Sequence, residues 1–194
     1  MNAKEIEEES FRIIEKQLDF PYPEKAVVRR IIHATADFSF ADTVVFSGNA
    51  IQSGVDAVKS GTPIITDVNM VRAGISRYTG EVKCFISDAG VRELAENSDM
   101  TRTASAFRMF KDELQDAIVA IGNAPTALFE LCTLIEEGIT PSLVVAAPVG
   151  FVGAKESKEE ILKHDIPCIA VRGQRGGSSV AAAIVNALIR LAEE

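Results

Sequence analysis

The sequence predicts an α/β fold: a doubly wound, mostly parallel sheet with helices on both faces. Short apolar, β-branched runs recur between about residues 43 and 171. A segment of helical periodicity follows each run, and the runs are apolar throughout rather than alternating, as strands covered on both faces are. The chain has 194 residues, 47% of them hydrophobic and 25% charged, and shows no repeat or low-complexity stretch. That suits one domain over residues 1–194, with an N-terminal helical segment over about residues 1–35.

The N-terminal segment opens with Asn2 and, three residues on, Glu5, the spacing of a capping box. Ile6, Ile13, Ile14 and Leu18 give it one apolar face to about residue 18, and Pro21 and Pro23 separate it from a second helix through His33. Strands are predicted at 43–46, 63–66, 82–86, 117–121, 143–146 and 167–171. The intervening helices are predicted at 50–59, 68–73, 90–97, 101–115, 125–137, 157–164 and 178–193.

A formal net charge of -8 excludes a broad nucleic-acid or anionic-membrane footprint. No apolar run approaches the roughly 18 residues of a membrane span, and the acidic start is unlike a secretory leader, so the expected location is the cytoplasm. Cys84, Cys132 and Cys168 are odd in number, far apart and set in apolar runs, as free thiols are. With two histidines, no Cys-x-x-Cys and no His-x-x-x-His, no protein-held metal or cofactor is expected.

In a doubly wound sheet ligands bind beyond the carboxyl ends of the strands, so the turns after the strands are candidate sites. Gly122-Asn123-Ala124-Pro125-Thr126 leaves a strand and enters a helix. It is either a plain turn or a helix N-terminus whose free N–H groups bind a carboxylate or phosphate. The turn from Arg172 to Ser179 could form an amide nest flanked by Arg172 and Arg175. It lacks the spacing of a P-loop or dinucleotide turn. Thr101-Arg102-Thr103 reads as a capped helix with a surface Arg, and His164 as a cation in the last turn of its helix. No Ser-His-Asp order or Gly-x-Ser-x-Gly elbow is present.

On a helical wheel, Val27, Val28, Ile31, Ile32 and Thr35 share one arc, while Arg29, Arg30 and His33 lie opposite. That outward face is either a solvated surface or the wall of a cleft. Among side chains able to move a proton near neutral pH without a large pKa shift, His33 stands nearly alone.

Several blocks together resemble the precorrin-8X methylmutase family. They are Glu9-Ser10-Phe11, residues 28–34, Asp67-Val68-Asn69-Met70, Thr101-Arg102-Thr103, residues 119–128, residues 148–158, and Arg172-Gly173 with Gly176-Gly177-Ser178. They run in family order across nearly the whole chain. The resemblance implies an isomerase that moves a methyl group from C-11 to C-12 of precorrin-8 or cobalt-precorrin-8, giving hydrogenobyrinate or cobyrinate in cobalamin biosynthesis, with no external methyl donor. It implies His33 as proton donor or acceptor, Ser10 and Arg30 as substrate contacts, and a homodimer with large clefts near the subunit interface. Arg102, Asn123 and Arg175 are further candidate contacts on the matching blocks. Ala34-Thr35-Ala36-Asp37 departs from the Gly-containing versions expected after the histidine. The competing reading is a protein that binds a tetrapyrrole or another anionic small molecule without transforming it.

Overall fold

The computed structural model describes residues 2–194, apart from the side chains of residues 3 and 4. The capping box is formed: Asn2 Oδ1 accepts from the Glu5 N–H at 3.0 Å, and the Glu5 carboxylate accepts from the Asn2 N–H at 2.9 Å. It starts α1 (Ala3–Glu15), and α2 (Glu24–Thr35) follows. The departure after His33 is resolved by Ala36, which takes the left-handed conformation at φ 53° and donates its N–H to Ile32 O, the role glycine commonly fills. A 3-10 turn (Phe38–Asp42) then leads to β1 (Val44–Ser47), α3 (Ala50–Lys59), β2 (Ile64–Thr66), α4 (Asn69–Gly74), β3 (Val82–Lys83) and α5 (Ala89–Glu96). The second half comprises α6 (Arg102–Met109), β4 (Ile118–Ile121), α7 (Pro125–Glu136), β5 (Leu143–Ala146), α8 (Ala154–Ile161), β6 (Cys168–Val171) and α9 (Ser178–Glu193).

All six predicted strands pair in one sheet of order β1-β6-β5-β4-β2-β3. Every pairing is parallel except the edge strand β1, which runs antiparallel to β6. Successive side chains alternate between two cores. Ile118, Ala120, Leu143, Val145 and Ile169 face α2, α3 and α9, whereas Val119, Ile121, Val144, Ala146 and Cys168 face α6, α7 and α8. This explains why the strands read as unbroken apolar runs: both faces are covered. Helix α9 is buried nearly all round, through Val180, Ala181, Ile184, Val185 and Leu188, and it packs against α2, α3 and α4.

Three helices differ from their predicted extents, the first being α1, which ends at Glu15 rather than near residue 18. The segment 101–115 breaks at Phe110, whose ring stacks on Phe85 at 4.1 Å, and continues as a 3-10 turn (Lys111–Leu114) that buries Leu114. Helix α8 begins three residues earlier than predicted, after Gly153 at φ 77°, and ends at Ile161. His164 therefore lies beyond the helix rather than in its last turn, and its Nε2 is buried without a partner.

Candidate functional site

Helix α2 buries Val27, Val28, Ile31 and Ile32 completely or nearly so against the core. At about 1.5–3 kcal/mol for each such side chain, this fixes the helix rotationally and turns His33 and Arg30 outward. They are only partly exposed to water. Helix α1, the loop at Ser76 and Arg77 and the C-terminal half of α9 flank them, forming an open cavity of about 950 Å³. That is near the top of the roughly 300–1,000 Å³ range of small-molecule sites.

The imidazole of His33 is half-buried and packs edge-on against Phe11, with ring centroids 5.1 Å apart. The Arg29 guanidinium stacks over the same ring at 4.1 Å from its centroid, and that of Arg30 lies at 5.8 Å. Glu7 on α1 joins two cations from different helices. It pairs with Arg30 and accepts a 2.7 Å bond from Arg190 Nη2 on α9. Burial lowers the His33 pKa below its ordinary 6.5; Arg30 and Arg190 lower it further, and Glu7 partly opposes them. The imidazole is thus neutral at pH 7, in reach of fixed positive charge.

Of the residues expected in the site, the protomer brings His33 and Arg30 together in this cavity. Ser10 lies on α1 one turn from the lining residues Ile6 and Glu7, with its hydroxyl donating to Ile6 O at 2.8 Å. Arg102, Asn123 and Arg175 lie outside the cavity, in the segments that border the carboxyl ends of the strands. Arg102 is exposed beside Thr101, which caps α6. Arg175 pairs with Asp37 and Ser39 and covers the Phe40 ring at 4.9 Å, tying the glycine turn to the segment after α2. Lys158, fully buried, ties the same turn to the next one, donating to Arg175 O at 2.7 Å and Pro148 O at 2.9 Å.

The expectation that the Gly122 turn offers free N–H groups is corrected by the structure. The order of the sheet reverses between β2 and β4, and at that point the buried Asp67 carboxylate accepts from Gly122 N at 3.1 Å and from Asn123 N and Ala124 N at 2.8 Å each. The acceptor at this turn is the protein's own carboxyl group. Gly122 is required by close approach: a Cβ there would lie 2.8 Å from Ser178 Cα and Val71 Cγ2.

Sequence reasoning assigned no role to Glu7, Arg77, Asn186 or Arg190. Asn186 and Arg190 had a legible signal, being spaced i, i+4 on an otherwise apolar helix. Glu7 had none, because its partners come from 23 and 183 residues away. Among the described residues, no group of three His, Cys, Asp or Glu side chains could hold a metal ion, and no helix is long and apolar enough to cross a membrane.

A family model described as precorrin-8X methylmutase matches residues 5–191. The cobalt-precorrin-8 methylmutase of Methanocaldococcus jannaschii is 46% identical over 176 residues, 90% of this chain and 83% of that one. The cobalt-precorrin-8 methylmutase of Salmonella typhimurium is 40% identical over 198 residues, 95% of this chain and 93% of that one. A crystal structure of the precorrin-8X methylmutase of Thermus thermophilus superposes with a TM-score of 0.89 at 37% identity, covering 97% of both chains. With its doubly wound sheet and its match over nearly the whole chain, the chain belongs to the precorrin-8X methylmutase family and is a methyl-shifting isomerase of cobalamin biosynthesis.

Proposed function

We propose that this chain moves a methyl group from C-11 to C-12 of precorrin-8 or its cobalt-containing form, giving hydrogenobyrinate or cobyrinate, with His33 as the proton carrier. The observation that carries the reading is His33 itself, beside Arg30 on the wall of a large cavity, where burial lowers its pKa. The reaction breaks one C–CH3 bond and forms another within one molecule, so substrate and product have the same formula. Any proton taken up by the protein must be returned. A neutral imidazole suits this cycle, since it accepts a proton and its conjugate acid gives it back; a positioned group of this kind contributes roughly 100-fold to 10,000-fold.

The cations suit the substrate. A macrocycle fringed with carboxylates needs apolar walls and local positive charge, which an acidic protein supplies only by clustering Arg. Its carboxylates would also raise the His33 pKa toward the ordinary value, coupling proton affinity to binding. Cobalt, where present, would be carried by the macrocycle. The protein works in the cytoplasm as a homodimer, and Ser10, Arg102, Asn123 and Arg175 contribute further contacts from the segments around the cavity and along the strand ends.

Incubation with cobalt-precorrin-8, followed by absorbance, tests the reading. Many equivalents of corrin product per protein are expected, whereas a binding protein gives at most one shifted spectrum per site. His33→Ala should lose turnover while still binding tetrapyrrole. A variant that turns over at the wild-type rate removes His33 from the chemistry.

A further inference from the structure

We propose that Arg77 is an anchor for a substrate carboxylate, presented to the cavity by Asn186, which acts as a positioning residue; this rests on the tetrapyrrole reading above. Three arginines line the cavity: Arg30, Arg77 and Arg190. Arg30 and Arg190 are both bound to Glu7. Among the described residues, Arg77 forms no ion pair, so it is the lining cation whose guanidinium is open to an external carboxylate.

Its backbone is held for that purpose at a cost. Arg77 sits in the left-handed region at φ 63°, where an L side chain crowds the main chain and glycine is the usual occupant. Asn186, one turn before Arg190 on α9, fixes the loop from both sides. Its Oδ1 accepts from Ser76 N at 2.8 Å, and its Nδ2 donates to Gly74 O at 2.8 Å. Gly74 itself lies against α9 so closely that a Cβ there would be 2.8 Å from Ala182 Cβ. The loop therefore has little freedom to relax, and the strained residue it presents is a cation rather than glycine. Strain retained where a ligand would sit is a pointer to function, because glycine would be the more stable choice for folding alone.

Glycine at position 77 also separates the two roles. Arg77→Gly removes the guanidinium and relieves the backbone, so a purely structural residue and a ligand anchor predict opposite results. Wild type, Arg77→Gly, Arg77→Lys, Asn186→Ala and the Arg77→Gly/Asn186→Ala pair are compared by steady-state kinetics with cobalt-precorrin-8 and by titration with cobyrinate and its neutral methyl ester. For Arg77→Gly the melting temperature holds or rises while KM and the cobyrinate Kd increase about 10- to 100-fold, the range of a charge-assisted hydrogen bond. Arg77→Lys recovers part of that loss, the methyl ester shows little difference between variants, and kcat changes less than KM. Asn186→Ala weakens binding in the same direction, and the double variant is no weaker than Arg77→Gly, because Asn186 acts through Arg77.

Cobyrinate binding unchanged in Arg77→Gly, or an equal loss for acid and ester, overturns the anchor. Additive losses in the double variant overturn the positioning role of Asn186. A wild-type protein that neither binds nor converts the tetrapyrrole overturns the functional reading itself, a result distinct from a working enzyme indifferent to position 77.

Discussion

Replacing Asp67 with alanine removes one carboxylate and leaves three main-chain donors without their partner: Gly122 N, Asn123 N and Ala124 N. A buried donor left unsatisfied costs about 1–3 kcal/mol, which sets an upper sum of roughly 3–9 kcal/mol for the three. Two effects reduce it. Asn123 is exposed, so its N–H can turn to water. Holding an ionised carboxylate in the interior is itself unfavourable: burial pushes the Asp67 pKa up, and the backbone donors only partly pull it back. A net loss of about 2–4 kcal/mol remains, which at about 2–4 °C per kcal/mol for a chain of this size lowers the melting temperature by roughly 4–16 °C. Circular dichroism against temperature and urea measures it, with Asp67→Asn intermediate because one acceptor oxygen survives. A second readout follows from the geometry. The vacated cradle of three N–H groups matches the carboxylate that was removed, so formate should stabilise Asp67→Ala more than wild type. Stability of Asp67→Ala within about 0.5 kcal/mol of wild type would refute the accounting.

The lowered His33 pKa fixes the sign of the pH dependence: the imidazole is neutral above its folded pKa and gains charge as pH falls through it, so kcat/KM holds at pH 7 and falls on an acid limb below 6.5. Glu7→Gln removes the carboxylate that raises this pKa and should move the limb to still lower pH; a limb at or above 6.5 in wild type contradicts the assignment. Lys158 gives a second signature, since burial lowers its pKa from 10.5 to about 8. Between those values the unfolded chain holds more protons than the folded one, so stability rises with pH across this window. Urea midpoints should show that rise in wild type and lose it in Lys158→Met, while the neutral amine keeps enough donors for both carbonyls.

The sheet was legible because burial on both faces leaves a direct trace: an unbroken apolar run such as Ile118–Ile121 has few other homes. The outward face of α2 was legible too, yet whether it met water or a cavity was not, since that depends on α1 and α9 folding over it. His33 and Arg30 could be proposed from a wheel and a motif. Their environment could not, because Glu7 and Arg190 reach them across almost the whole chain. The Gly122 turn shows the opposite failure. Its local pattern fits an anion site well, but its N–H groups are taken by a side chain from 55 residues earlier, and no local pattern distinguishes an internal occupant from an external one. The break at Phe110 was invisible for a related reason: the partner its ring stacks on lies 25 residues earlier, in the turn after β3.

Helix α9 contacts α2, α4 and the sheet, caps the Ser76 loop through Asn186 and reaches Glu7 through Arg190. It is the common datum from which α1, α2 and the Arg77 loop are all positioned. A small displacement of this helix would carry the three walls of the cavity together and preserve their mutual spacing, whereas an equal displacement of any one wall would spoil it. Substitutions along the sheet-facing side of α9 should therefore trade stability with little change in substrate preference. Altered selectivity is more accessible through the residues that line the cavity, among them Asn186 and Arg190 on the opposite side of the same helix.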